Sequence, residues 1–307
     1  MNFLKKIKNL NFDYVRNGRW FYIAPAIILV VGIIMLAIFG FNLGLDFTGG
    51  TTVKVNADGV YSKVEIEEKM DSFDVKYNIA KEQSTNGGNA YSIKFNADNA
   101  DTIVTELQSY LGEDYLESTT FSDTTIKETI MSVFWSILAA LAGLIIYMLI
   151  RFKFTAGMAT ILALMHDVLM ICALMAIFQI EINTSFIAAI LTVMAYSINN
   201  SLVVFDRVRT FEKNNTENYT LDQMINKSIN ATLKRSILTV ATTLGTLLVL
   251  TIISLIMQLS TLIEFAMPIV FGLFAGTYSS LFLIAPLYKQ FESARLYAKQ
   301  RKINVQK

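Results

Sequence analysis

Very few side chains that ionise or form strong hydrogen bonds lie inside the long apolar runs of this sequence. His166 and Asp167 are adjacent in the middle of one run, and Asn199 and Asn200 are adjacent in the next. An ionisable group at the centre of a bilayer costs about 2.5 to 3.5 kcal/mol, so it needs a partner or a task. Because a carboxyl group beside an imidazole is suited to taking up and releasing a proton, we predict that Asp167 and His166 handle protons. The alternative is a purely structural pair.

Polar residues also mark the ends of these runs. Asp206 and Arg207 follow the asparagine pair, and Arg235 comes directly before another apolar run. The hydroxyl side chains after Arg235 recur at spacings of three and four, so in a helix they form a stripe that should face the bundle interior or a partner. Simpler interpretations are amides that join helices, charged anchors at the membrane surface and hydroxyls bonded to their own backbone. The stripe consists of Ser236, Thr239, Thr242, Thr243 and Thr246.

Six apolar runs are long enough to cross a bilayer as helices. A hydrocarbon core about 30 Å thick needs roughly 20 residues at about 1.5 Å each, and 53% of the residues are hydrophobic while only 17% are charged. We therefore predict a polytopic α-helical membrane protein with six transmembrane helices. The runs cover residues 21–41, 130–150, 155–178, 184–205, 236–257 and 262–287.

Small residues spaced four apart predict faces where membrane helices approach closely. One such face contains Ala139 and Gly143, and the other contains Gly272, Gly276 and Ser280. Both are predicted to be helix-packing faces.

The distribution of Lys and Arg predicts the orientation in the membrane, because short cytoplasmic loops retain positive charge. The short links 179–183 and 258–261 contain no Lys or Arg, so we predict that they lie outside an inner membrane and that both termini are cytoplasmic. The predicted parts are a cytoplasmic leader (1–19), a first transmembrane helix (20–41), a periplasmic α+β domain (42–127), a five-helix transmembrane bundle (128–288) and a basic cytoplasmic tail (289–307).

The segment 42–127 is polar with short apolar alternations, as expected of a small domain in water. Its pattern predicts the order strand, helix, strand, strand, helix, which indicates a ferredoxin-like α+β fold. A turn is predicted at Asn86–Asn89. The predicted strands are Thr51–Asn56, Asp74–Ala80 as the weakest, and Tyr91–Asn96, and the predicted helices are Tyr61–Phe73 and Ala100–Leu111.

Several function classes lack the residues they need. Cys172 is the only cysteine and His166 the only histidine, so zinc chemistry has too few ligands. The glycine-rich stretch Gly44–Gly50 lacks the Lys and Ser/Thr of a phosphate-binding loop. An ATPase or a metalloenzyme is disfavoured, and no catalytic or metal-binding residues are predicted.

Several segments, taken in order, resemble the SecF family of the resistance-nodulation-division superfamily. GLDFTGGT (44–51), with Asp46, Gly49 and Gly50, resembles the signature at the start of the family's periplasmic domain. AYSINNSLVVFDRVR (195–209) is similar to the family's GYSINDTVVVFDRIR. NATLKRSI (230–237), GTYSS (276–280) and the His166–Asp167 pair also match family positions.

The resemblance implies a subunit of the bacterial Sec protein-export machinery and not an enzyme. Its expected partners are SecD, in a twelve-helix assembly, the SecYEG channel, the translocating preprotein and the lipid bilayer, with no nucleic acid. Its expected energy source is the proton-motive force, with no bound cofactor.

One position departs from the family's pattern in a way that affects function. The family has Asp where this chain has Asn200, and Gly where it has Ala195. That Asp is counted among the family's proton-relay groups, and an amide does not titrate. The relay then runs through Asp167, through a SecD carboxylate paired with Arg235, or not at all.

These routes correspond to different functions. The first hypothesis is a proton-driven export subunit, and the second is a passive scaffold for SecD. A third, a small-molecule efflux subunit of the same superfamily, predicts much larger inserts in two halves of a longer chain.

Overall fold

Long helices form the membrane part of the protein, and a small sheet with two helices forms a separate α+β domain. The computed structural model describes residues 13–57, 60–83, 89–112, 115–214, 219–257 and 259–305. In chain order the elements are α1 (Ile23–Phe39), the one-turn α2 (Leu45–Thr48), β1 (Gly50–Asn56), α3 (Lys63–Asp71), β2 (Tyr77–Gln83), β3 (Asn89–Phe95), α4 (Ala100–Leu111), β4 (Leu116–Phe121), α5 (Asp123–Arg151), α6 (Phe154–Phe178), α7 (Thr184–Lys213), α8 (Leu221–Ile256), α9 (Ser260–Tyr278), a π-helical turn (Ser279–Leu283) and α10 (Ile284–Val305).

Six helical segments among the described residues are long and apolar enough to cross a bilayer, which confirms the predicted multi-pass membrane protein. The last one continues from α9 through the π-helical turn into α10. α8 begins at Leu221, where Thr220 and Gln223 form a capping box. Arg235, predicted at the start of a span, therefore lies well inside this helix. The six segments are Trp20–Phe39, Thr124–Arg151, Phe154–Phe178, Thr184–Lys213, Leu221–Ile256 and Leu262–Asn304.

The α+β domain has the predicted ferredoxin-like fold. Its four strands lie in the order β2-β3-β1-β4 and all neighbours are antiparallel. α4 has the predicted bounds, and α3 is shorter than predicted because Ser62 and Glu65 form a capping box at its start. The turn predicted at Asn86–Asn89 lies almost entirely outside the described residues.

The fourth strand was not predicted. In β4 only Leu116 is buried, and the next four residues are exposed, so the sequence carries no alternation of apolar and polar residues there. The other strands point their apolar side chains at α3 and α4. This core includes Val53, Ile66, Ile93, Phe95 and Leu107.

Close helix contacts in the bundle occur where glycines face a neighbouring helix. α9 packs on α7 at Gly272, where an added Cβ would lie 2.3 Å from Cγ2 of Val193. Ser280 is fully buried in the π-helical turn. In contrast, Ala139 and Gly143 are exposed, and no atom lies within 4 Å of a Cβ built on Gly143. The prediction that these two residues pack against another helix is wrong within this chain, because α5 turns other residues toward its neighbours.

Candidate functional site

Asp167 is fully buried in the middle of α6 and is surrounded by hydrogen-bond donors. Ser197 of α7 donates its hydroxyl to Oδ2 of Asp167 at 2.5 Å. Ser279 of the π-helical turn donates to the same oxygen at 2.9 Å. Nδ1 of His166 lies 3.1 Å from the other carboxyl oxygen, Oδ1. The structure thus joins three helical segments at one carboxyl group.

Local backbone features place these donors. A π-helical turn accommodates one extra residue per turn, and such turns often occur at functional sites; here the turn begins at Ser279. Gly276, one turn earlier, lets α9 approach closely, because an added Cβ would lie 3.1 Å from Cβ of Ser197 and 3.4 Å from Oδ2 of Asp167. The glycine and the irregular turn therefore act together in bringing a hydroxyl to Asp167.

This arrangement suits a carboxyl group that gains and loses a proton. An ionised carboxylate only accepts hydrogen bonds, whereas a protonated one also donates. A serine hydroxyl both donates and accepts and rotates freely about its C–O bond. Ser197 and Ser279 can therefore satisfy Asp167 in both protonation states without any movement of the backbone.

His166 connects this site to the side of the bundle. Its Nε2 is buried and has no hydrogen-bond partner among the described residues. The ring lines an apolar groove of about 230 Å³ between α1, α6 and α9, together with Pro25, Phe274 and Tyr278. The imidazole therefore lies between Asp167 and this groove.

The two asparagines lie in different environments although they are adjacent in α7. Asn200 is only 5% exposed, and its Nδ2 has no partner within the described part of the chain. It is one helical turn from Ser197, which places it on the same buried side as the carboxyl site. Asn199 is exposed.

Arg235 is exposed and lies away from Asp167, in a cleft of about 430 Å³ between α5, α7 and α8. Asp206 and Arg207 line the same cleft. Asp206 lies 3.8 Å from the guanidinium of Arg151, and the guanidinium of Arg207 lies over the ring of Phe211 at 5.1 Å. Among the described residues, Arg235 forms no ion pair.

The hydroxyl stripe of α8 is mostly satisfied by its own helix. Ser236 is buried, whereas Thr239, Thr242 and Thr246 are exposed. Each of these three donates to a backbone carbonyl one turn earlier, the simpler interpretation of such residues. These three hydroxyls therefore face outward, toward lipid or a partner, whereas Ser236 at the start of the stripe faces the bundle interior.

The segment that leads into the α+β domain contacts the bundle through Asp46. Its Oδ2 accepts from the backbone N–H and the hydroxyl of Thr184, at 2.8 and 2.5 Å. Gly49 and Gly50 follow with φ of +82° and +130°, values that side chains disfavour. A Cβ on Gly50 would also lie 2.7 Å from the carbonyl oxygen of Phe95. The glycines thus form the junction between α2 and β1.

Comparison with known proteins identifies the family. A family model described as "Protein export membrane protein SecD/SecF, C-terminal" matches residues 103–294, and one described as "SecD/SecF GG Motif" matches residues 34–59. The chain belongs to the SecD/SecF family. It is 31% identical to the protein translocase subunit SecF of Petrotoga mobilis, over 90% of this chain and 95% of that protein.

Longer SecD/SecF relatives match the chain over part of their length. The protein translocase subunit SecDF of Bacillus subtilis is 30% identical over 93% of this chain, which spans 39% of that relative. The crystal structure of SecDF from Thermus thermophilus superimposes with a TM-score of 0.72 at 26% identity, covering 93% of this chain and 39% of that one. The membrane helices and the α+β domain together therefore have the fold of one part of SecDF.

Two donors at the carboxyl site were not predicted from sequence. Ser197 and Ser279 both lie in segments that resemble the SecD/SecF family, 195–209 and 276–280. Their place in these two segments was the only signal in the sequence that pointed to them, because serines in membrane helices often bond only to their own backbone. No group of three or more His, Cys, Asp or Glu side chains among the described residues could hold a metal ion.

Proposed function

We propose that this chain is the SecF-type subunit of a protein translocase and that it uses the proton-motive force to promote late steps of preprotein export. The observation that carries the proposal is the enclosed carboxyl group of Asp167, whose two serine donors suit both of its protonation states. A charge that crosses 100 mV releases about 2.3 kcal/mol. Protonation of Asp167 can supply that energy to a conformational change if the two conformations bind the proton differently.

A SecD-type subunit is the proposed partner. Exposed polar side chains are costly in lipid, and Arg235 and Asn199 are both exposed on the membrane helices. The SecDF relatives contain a segment similar to this chain within a much longer polypeptide. We propose that a SecD-type subunit covers the cleft at Arg235, and that a carboxylate of this partner pairs with the guanidinium.

The same proposal includes the other partners of the chain and its location in the cell. The assembly would act with the SecYEG channel on a translocating preprotein, without covalent chemistry and without a bound cofactor. The chain would lie in the inner membrane with both termini in the cytoplasm, as the distribution of Lys and Arg predicts.

Export into reconstituted vesicles tests the role of Asp167. The vesicles contain the SecD-type partner and the SecYEG channel, and export is measured with and without an uncoupler. We expect Asp167→Asn to reduce export to the level that the uncoupler leaves in the unmodified protein. The matched control is Glu292→Gln, since Glu292 is also a buried carboxyl group and accepts from the hydroxyl of Thr155 at 2.6 Å. This control should keep uncoupler-sensitive export.

A passive scaffold is the second candidate, and Asn200 is the observation that favours it. Its amide stands where the family has a titrating group, and it cannot carry a proton. If Asp167→Asn and Arg235→Ala both export normally and remain sensitive to the uncoupler, the relay proposal is wrong and the scaffold function is supported. We expect Asn200→Asp to be tolerated and Arg235→Lys to be impaired, because a partner carboxylate would bind the planar guanidinium in two places.

A further inference from the structure

The α+β domain rests on the bundle through a partly buried ion pair. Nζ of Lys94 lies 2.5 Å from Oε1 of Glu181, and the two side chains are 24% and 17% exposed. Lys94 is in β3, where its neighbours Ile93 and Phe95 belong to the core of the domain. Because side chains alternate along a strand, Lys94 points from the opposite face of the sheet. Glu181 lies in the short link between α6 and α7.

Backbone hydrogen bonds join the same two parts. The N–H of Gly44 donates to the carbonyl of Ile182 at 2.8 Å, and the N–H of Ile182 donates to the carbonyl of Asn42 at 2.8 Å. A Cβ on Gly44 would lie 2.8 Å from Oε1 of Glu181. The same Cβ would lie 3.2 Å from Cβ of Asn183 and 3.3 Å from the carbonyl oxygen of Ile182, so the two segments are in close contact here.

Charged groups on both parts favour this contact. Burial opposes the charge on Lys94, but the hydrogen bond to Glu181 and the surrounding carboxylates outweigh it and raise the pKa of Lys94 above its ordinary value of 10.5. One of those carboxylates is Glu264 of α9, which accepts from Nδ2 of Asn183 at 2.6 Å. The contact therefore includes the start of α9 as well as the link before α7.

The same contact holds the first turn of α7. Asn183 is the N-cap residue and accepts from the N–H of Phe186, while Asp46 accepts from Thr184. A carboxylate at the start of a helix also interacts favourably with the helix dipole. The beginning of α7 is thus bound to a residue of the segment that enters the α+β domain.

α7 connects this contact to the carboxyl site. Ser197 is 13 residues after Thr184 in one uninterrupted helix, a distance of about 20 Å at a rise of about 1.5 Å per residue. Ser197 donates to Asp167. A shift of the first turn of α7 along its axis would therefore move a donor of the buried carboxyl group.

We propose that Lys94, Glu181, Asp46 and Thr184 form a latch between the α+β domain and α7, and that opening of this latch and the hydrogen bonding of Asp167 are coupled through α7. Asp46 and Lys94 are positioning residues, because they act through the helix and do not touch the carboxyl site. The coupling rests on the proposed function of Asp167, whereas the latch itself does not. Coupling of this kind is reciprocal, so a change at either end alters the other.

Hydrogen exchange tests the latch on the full chain, co-purified with its SecD-type partner in lipid nanodiscs and without a pH gradient. The amides of Ile182 and Thr184 report on opening, because their hydrogen bonds cross the contact. Loss of a hydrogen bond to a charged group should raise their exchange rates by roughly tenfold or more in Asp46→Ala. Lys94→Met should raise them by a smaller factor.

Two further variants control for misfolding. Lys63→Met breaks an ion pair with Glu67 (3.2 Å) within α3, which packs on the face of the sheet opposite Lys94, and should leave the exchange at Ile182 and Thr184 unchanged. Thr184→Val removes only the hydroxyl that donates to Asp46, so it can be measured even if Asp46→Ala does not accumulate. It should raise the exchange rate of the amide at position 184.

The coupling is tested from the other end with Asp167→Asn. We expect faster exchange of Ile182 and Thr184, by a few fold, and no change in the Glu292→Gln control. Unchanged exchange at both amides in Asp46→Ala and Lys94→Met overturns the latch, and unchanged exchange in Asp167→Asn overturns the coupling. Because amide exchange does not depend on export, a failed relay in the vesicle assay and a failed latch are distinguishable.

Discussion

Replacing Gly272 by alanine should destabilise the bundle, because the added methyl group has no room between α9 and α7. An added Cβ would lie 2.3 and 2.4 Å from the two γ-carbons of Val193 and 2.9 Å from its Cβ. Favourable carbon contacts lie at about 3.5 to 4.0 Å, so the overlap exceeds about 1 Å. Val193 is buried in α7 and cannot turn away, since valine in a helix strongly prefers one rotamer.

The cost follows from how such overlaps are relieved. Overpacked cores usually lose about 1 to 3 kcal/mol, and we expect the upper part of that range because both contacting groups belong to helices. Alanine at Gly143 meets no atom within 4 Å. That control should be neutral, or more stable by up to about 1 kcal/mol, because alanine favours helix over glycine.

A double variant separates the steric cause from a general effect of alanine. Val193→Ala removes both γ-carbons and leaves a small cavity, so alone it should cost about 1 to 3 kcal/mol. In the Val193→Ala background, Gly272→Ala should cost less by about 1 to 2 kcal/mol, because the two residues are in contact. The rescue of stability should be only partial, because the methyl group added at position 272 would still lie 2.9 Å from the Cβ at position 193.

Unfolding in mixed micelles, followed by circular dichroism as the SDS fraction increases, measures these free energies. The reasoning is refuted if Gly272→Ala unfolds at the same SDS fraction as Gly143→Ala, or if the effects of Gly272→Ala and Val193→Ala simply add. Either result would mean that α7 and α9 separate easily at this contact.

Three further predictions concern the α+β domain and the N-terminal segment. Gly50→Ala should destabilise the domain by about 1 to 3 kcal/mol because φ is +130° there, seen as faster amide exchange in β1 with no change in α7 beyond its first turn. Asn226→Ala should free the N–H groups of Tyr14 and Val15, which donate to its Oδ1 at 3.0 and 3.3 Å, so their exchange should accelerate. The pKa of Asp13, in the same contact, is lowered chiefly because its carboxylate accepts from the N–H of Arg16. The stability that this carboxylate contributes is therefore fully present above its ordinary pKa of 3.8 and is lost as the pH falls through the lowered pKa. Amide exchange of Tyr14 and Val15 at pH 6 and pH 3 checks this dependence.

The sequence predicted those elements whose signal is local. Six membrane helices follow from run length, and three strands and two helices of the α+β domain follow from their apolar periodicity. β4 was missed because only Leu116 in it is buried. The start of α8 was misplaced because hydropathy marks where a span is apolar and not where its helix begins. Ala139 and Gly143 show that small residues at helical spacing do not identify the partner helix.

The candidate site was predictable in its centre and not in its surroundings. Asp167 stands out because a carboxyl group is expensive in a bilayer, and that reasoning needs no structure. Its donors come from residues 30 and 112 positions away in the chain, and only tertiary packing brings them together. The contact of Asp46 with Thr184, 138 positions away, has no local signal of any kind.

The positions of Asp167 and Arg235 bear on the relay routes that the sequence left open. Asp167 is enclosed by its own chain, with its hydrogen bonds supplied by Ser197, Ser279 and His166. Arg235 opens to the surface and shares a cleft with Asp206. Because the two groups have no common hydrogen-bond partner among the described residues, a carboxylate from a partner subunit would neutralise Arg235 without touching Asp167. The structure therefore separates the groups on which the two routes depend: Asp167 is enclosed within this chain and Arg235 faces outward, while Asn200 lies on the buried side of α7 between the levels of Ser197 and Asp206.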